Sequence, residues 1–243
     1  MELGFSPFFL KWMFNMATTQ HYKLCLVVLT TIILSKSQAQ ANFTGYFEPA
    51  VELSYKISPT YSHSFAIENR NVIYRNNETE YNVRQIDISH LSEYQWDAKY
   101  ALGLGLQYRW ENAFQTDEEN ELRLQQQVVY TSEASSFKAS HRFRTEQRLY
   151  ASVTKHRLRY RLGYTIPLAR ENSLRPYMKV GTETLLEVAS TQKPELEQRF
   201  GVGFGWLLTP KTTFKLGVEY QLADYLQDLN HEFFMLAEFG IQL

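Results

Sequence analysis

Serine stands beside histidine three times, in "SHS" at 62–64, "SHL" at 89–91 and "SHR" at 140–142. A hydroxyl next to an imidazole base is the starting point of nucleophilic hydrolysis, including that of membrane lipids. Adjacent residues of a strand point to opposite faces, so none of these pairs forms a dyad by itself. Only a serine and a histidine from different strands could do so. The histidines 63, 90, 141, 156 and 231 are dispersed, with no close metal-ligand spacing. "TDEEN", 116–120, reads as a solvated loop rather than a calcium site. "GVGFGW", 201–206, has the glycines of a phosphate loop, but such loops open a helix and no helical pattern follows. "NFT" and "NET" match the glycosylation sequon, which means little in a bacterial envelope protein. No catalytic, cofactor-binding or metal-binding residue is assigned. The expectation is a protein without a cofactor and without enzymatic activity.

The strongest pattern is ionic. In "HRFRTEQRLYASVTKHRLRYRLGYTIPL", 141–168, Arg142, Arg144 and Arg148 share one face of a strand, and Arg157, Arg159 and Arg161 share one face of the next. Phe143, Leu149, Leu158, Tyr160, Leu162 and Tyr164 lie on the opposite faces. Glu146 belongs to the first arginine face, and Glu183 and Glu187 to the corresponding face of the following strand. A charge network of Arg142, Arg144, Glu146, Arg148, Arg157, Arg159, Arg161, Glu183 and Glu187 is expected. It has two readings: an anion-selective or acidic-headgroup lining, and a structural network that closes a barrel. Small barrels are filled by their own side chains, which favours the second.

The elements that carry these faces are strands. Period-two alternation dominates from residue 43 onward. Tyr100, Leu102, Leu104, Leu106, Tyr108 and Trp110 alternate with Lys99, Gly103, Gly105, Gln107 and Arg109. Leu122, Leu124, Val128 and Tyr130 alternate with Glu121, Arg123, Gln125 and Gln127; Phe200, Val202, Phe204 and Trp206 with Arg199, Gly201, Gly203 and Gly205. Small inward residues such as these glycines would make room for Arg199 or Arg109. Eleven strands are recognisable, the third, near 81–93, less regular than the rest. Because single-chain bacterial barrels usually have an even count, Pro49 is expected to split the first run and give twelve strands; ten and eleven remain alternatives. Connections alternate between short turns, "SPT" and "TPKT", and longer polar stretches at 75–80, 188–197 and 222–230.

Lys23 followed by "LCLVVLTTIIL", 24–34, and then "SKSQAQA" reads as a signal peptide over 1–41, with cleavage after Ala39 or Ala41 and Met16 as the true start. Cys25, the one cysteine, falls inside it. That leaves 42–243 as one domain with neither disulfides nor thiolate metal sites. A net charge of −1 gives no reason to expect nucleic acid. Strands of this length cross a bilayer when tilted, and Tyr100, Tyr108, Trp110, Phe114 and Trp206 sit towards strand ends, where an interfacial aromatic girdle belongs. The arginine face must then point inward. One arginine at the bilayer midplane costs about 2–4 kcal/mol, so three would cost on the order of 6–12.

The order "HRFRTEQRL", "HRLRYRLGYTIPL", "RPYMKV", "EQRFGVGFGWLLTPKTTFKLGVEYQ" resembles the uncharacterised family called domain of unknown function 2490. Its members are exported proteins, mostly of Bacteroidetes, regarded as outer-membrane barrels. The resemblance covers roughly 51–243 and carries no reaction and no catalytic residue. Leu243 stands where outer-membrane barrels usually end in an aromatic, with Phe239 in phase before it. The expectation is an all-β, antiparallel transmembrane β-barrel of about 10–12 strands in the outer membrane of a Gram-negative cell. Its partners are outer-membrane lipid and, during insertion, the barrel-assembly machinery, with no nucleic acid and no specific partner identified. The alternatives are a lipid-modifying enzyme and a soluble periplasmic β-barrel that binds an apolar ligand.

Overall fold

The computed structural model describes residues 42–112, 119–134, 136–169, 174–190 and 192–243. The expected signal segment, with Met16, Cys25, Ala39 and Ala41, lies outside the described residues, as do Phe114 and part of "TDEEN".

Every described element is a strand. They are β1 (Phe43–Ser58), β2 (Tyr61–Arg75), β3 (Glu78–Gln95), β4 (Tyr100–Glu111), β5 (Glu121–Glu133), β6 (Lys138–Leu149), β7 (Thr154–Pro167), β8 (Tyr177–Ala189), β9 (Gln192–Thr209), β10 (Thr212–Ala223) and β11 (Asn230–Gln242). Each pairs antiparallel with its chain neighbour, and β1 closes the barrel by pairing with β11. That closing pair is parallel, from Phe43↔His231 to Ser54↔Gln242.

Eleven strands lie within the expected range, but the parity problem is solved differently from the twelve-strand expectation. Pro49 does not split β1. It stays in register with Ala237 of β11, while the β1–β2 ladder steps from Phe47↔Asn71 to Ala50↔Glu68. The residue without an N–H therefore sits where that ladder is interrupted. The irregular third run becomes one of the two longest strands, 18 residues. Its weak alternation reflects register shifts against β2, near Arg70/Asn71 and Val72/Tyr74.

The expected alternation of short turns with longer connections is absent from the intervals between strands. The 75–80 stretch is mostly strand, joined by a two-residue turn at Asn76 and Asn77, both at positive φ (53° and 64°). Two left-handed residues make the turn type whose twist suits a hairpin, and asparagine tolerates it. The strand ends that bound the nine-residue intervals 112–120 and 168–176, Glu111 with Glu121 and Pro167 with Tyr177, lie at opposite rims.

Alternation sorts the side chains cleanly. Leu104 is 66% exposed and Phe143 55%, whereas Glu121 and Glu146 are fully buried. The wall presents leucines and aromatics outward and encloses its charges. One apolar cluster interrupts the charged interior. Tyr46 and Phe234 stack at 4.7 Å beside Val72 and Leu236, with the Arg70 guanidinium 4.7 Å above the Phe234 ring.

Candidate functional site

Register places the charges. Asp87, Arg109 and Glu121 stand side by side across β3, β4 and β5. Glu146, Arg157 and Glu187 do so across β6, β7 and β8. Because strands pair at fixed spacing, these side chains form a continuous ionic layer on the buried face.

Glu121, Glu146, Glu183 and Glu187 each hold more than one cation, and Asp87 holds one. Asp87 accepts a fork from Arg109, Nε at 2.8 Å and Nη2 at 2.7 Å, and a further bond from Gln107 at 2.7 Å. Glu121 accepts Arg123 Nε at 2.6 Å and a fork from Arg148 at 2.9 and 2.6 Å. The Tyr150 hydroxyl, in the link after β6, donates to Glu121 at 2.8 Å. Burial raises the Tyr150 hydroxyl pKa above its ordinary value, so it keeps the proton it donates. Glu183 accepts a fork from Arg159 at 2.9 and 3.0 Å and a bond from Arg142 at 3.1 Å. Glu187 accepts Arg148 at 2.7 Å and Arg157 at 2.8 Å, with Lys155 3.0 Å away. Arg159 also reaches Glu146 at 2.8 Å. Arg144 lies 3.7 Å from Glu146 and forks onto the Gln127 amide oxygen at 3.0 and 2.6 Å. The fork geometry matches guanidinium to carboxylate and is the strong form of this contact.

Of the nine residues of the expected network, eight meet in this layer. Arg161 stands apart: it is exposed to the barrel's internal space and makes no ion pair among the described residues. The network also extends further than expected, through Asp87, Arg109, Glu121, Arg123 and Lys155. The glycines make room for other partners than the arginines expected. A Cβ at Gly103 would meet Gln127 at 2.7 Å, and one at Gly205 would meet the Tyr177 ring at 2.2 Å.

On the outer wall, β2 and β3 bring a serine and two histidines together. Ser92 Oγ lies 3.0 Å from His63 Nδ1, and His90 Nε2 lies 2.8 Å from the same nitrogen. Ser92 also borders an apolar outer groove of about 570 Å³ with Tyr94, Leu104 and Phe143. A hydrolytic triad needs the base's second nitrogen oriented by an acid. Here both partners crowd one nitrogen, so the geometry is incomplete. Among the described residues no cluster of three or more His, Cys, Asp or Glu is placed to hold a metal ion.

Residues 49–230 match the family model described as Protein of unknown function (DUF2490). The chain belongs to that family. No curated protein matches the sequence. Among solved structures, this DUF2490 chain is similar to the siderophore receptor PirA from Pseudomonas aeruginosa, with 12% identity and a TM-score of 0.30. The match covers 73% of this chain and 34% of the receptor, so the DUF2490 chain spans about a third of the receptor's length.

Four of the network residues missed by sequence reasoning had a signal. Arg109, Glu121 and Arg123 sit on the polar faces of regular alternating runs and Lys155 is in phase with Arg157, so that only their spatial adjacency was hidden. Asp87 had none, because its strand alternates poorly.

Proposed function

We propose that this DUF2490 protein is an integral outer-membrane β-barrel whose interior is largely closed by an arginine–carboxylate network, so that it serves as a structural barrel or a narrow pore. The observation that carries this reading is the inversion of the wall. Large apolar side chains such as Val51, Leu104, Phe143, Leu158, Phe200 and Leu216 are exposed around a closed barrel, while the charges are buried and paired within. Soluble monomers rarely expose such a continuous apolar surface. In a bilayer that surface is the one the solvent demands, and closure leaves no strand edge unsatisfied.

Cell fractionation with boiled and unboiled SDS samples tests it. Membrane barrels commonly stay folded in SDS until heated. The expected result is recovery in the outer-membrane fraction and a mobility change on boiling. A soluble periplasmic protein with one mobility overturns it. The soluble apolar-ligand alternative is weakened by the interior, which is charged rather than apolar.

A lipid-modifying activity is favoured by one observation, the Ser92–His63 contact beside the outer groove. The shared Nδ1 makes it the weaker reading. Ser92→Ala is therefore expected to leave the cell's lipid species unchanged, and altered phospholipid or lipid A profiles in that variant would promote the enzymatic reading.

A further inference from the structure

The ionic layer does not fill the whole interior. Between β6 and β11 it gives way to a cavity of about 370 Å³. Its floor is glycine: Gly163, Gly181 and Gly201 are aligned across β7, β8 and β9, and Gly203 and Gly217 pair across β9 and β10. A floor of hydrogen atoms leaves the backbone open and the space above it empty of side chain. At about 30 Å³ per water, the volume holds roughly a dozen waters or a small solute.

The cavity's charge is unbalanced. Arg142, Arg161, Lys179 and Lys215 line it, against Glu219 and Glu238. The two carboxylates already have partners: Glu238 contacts Lys215, and Glu219 lies 3.8 Å from Arg199 and accepts a bond from Gln221 at 2.7 Å. Arg161 and Lys179 are exposed to the cavity, and neither has an ion pair among the described residues. Arg142 uses Nη2 on Glu183, but its buried Nε has no hydrogen-bond partner. A buried, unused guanidinium N–H is costly unless something accepts from it. The hydroxyls of Ser140, Thr165 and Tyr177 add neutral donors around the same space.

We propose that this glycine-floored cavity is a binding site for a small oxyanion, a phosphate or carboxylate group of a solute, held between Arg161, Lys179 and the free Nε of Arg142. The ligand comes from water, because the ladders from β6 to β11 are continuous and leave no lateral opening to lipid. The site does not depend on the membrane reading, since the interior is the same whatever surrounds the wall. The counter-case, a water-filled void left by small residues, predicts no saturable binding.

Calorimetric titration of the full-length protein in detergent micelles with inorganic phosphate tests it. Low ionic strength keeps screening small. The expected result is one saturable site, weakened about tenfold or more in Arg161→Gln and again in Lys179→Gln, as loss of a charge-assisted donor implies. Gly201→Leu fills the cavity from its floor, where an added Cβ has 3.7 Å of clearance, and should abolish binding while the boiled and unboiled SDS mobilities stay distinct. No saturable phosphate heat in the wild-type protein overturns the proposal, and so does binding that all three folded variants retain.

Discussion

At the scale of single residues, the interior separates pairs that matter from pairs that do not. Glu121 is wholly buried and holds Arg123, Arg148 and Tyr150. Removing one partner of a buried pair leaves uncompensated charge, at a cost of about 3–5 kcal/mol. Glu121→Ala should therefore lower markedly the temperature at which the SDS-resistant form disappears. Glu133 pairs with Lys138 at 3.1 Å on the surface, both well exposed. Surface pairs contribute at most about 1 kcal/mol, so Glu133→Ala should leave that temperature nearly unchanged. Equal shifts would mean that the buried network does not hold the barrel. The arginine rows could be read from the sequence because spacing alone puts Arg142, Arg144 and Arg148 on one face. So could the carboxylates that face them, Glu146, Glu183 and Glu187, but not which arginine meets which carboxylate. Arg142 reaches Glu183 over the intervening β7, a contact set by curvature that no alternation encodes. The same limit hid Ser92 and His63, 29 positions apart and in contact.

At the scale of elements, glycine and asparagine positions do the fitting. The Tyr177 ring occupies the space a side chain at Gly205 would need. Gly205→Val should disrupt folding of the β8–β9 pair, and Tyr177→Ala should rescue it, as coupled neighbours do. Folded yield in unboiled SDS samples reads both. In the β2–β3 hairpin, Asn76 and Asn77 have φ of 53° and 64°. A β-branched residue is strained there, so Asn76→Val should cost on the order of 1–3 kcal/mol, while Asn77→Gly should be nearly neutral. If Asn76→Val is also neutral, the turn does not take the left-handed form. Strand positions were largely legible from alternation, from β4 to β10 especially. The second strand's end and β3 were not, because bulges shift which residues face inward and break period two. The 75–80 stretch looked like a loop because its residues are polar, yet hairpin pairing recruits most of them into strand.

At the scale of the whole molecule, the decisive contact is the seam. Pairing β1 with β11 joins residues nearly 190 positions apart, such as Phe43 and His231. Such closure forms slowly and late, because its loop entropy must be overcome first. Deleting 230–243 should leave an open sheet edge and abolish the heat-dependent mobility change, whereas a barrel that survives the deletion would show that the seam is dispensable. The seam is also parallel, and this sets where the chain goes. An even, antiparallel barrel returns its chain to the side from which it set out. Here β1 and β11 climb in the same direction, so the backbone enters the wall at Asn42 beside one rim and leaves it at Leu243 beside the other. Across a membrane, those two points would face different compartments. A reporter fused after Leu243 and one placed in the Asn76–Asn77 turn should then be reached by an impermeant label from opposite sides, and anything attached to the two chain ends would be sorted apart by the geometry of a single strand pair.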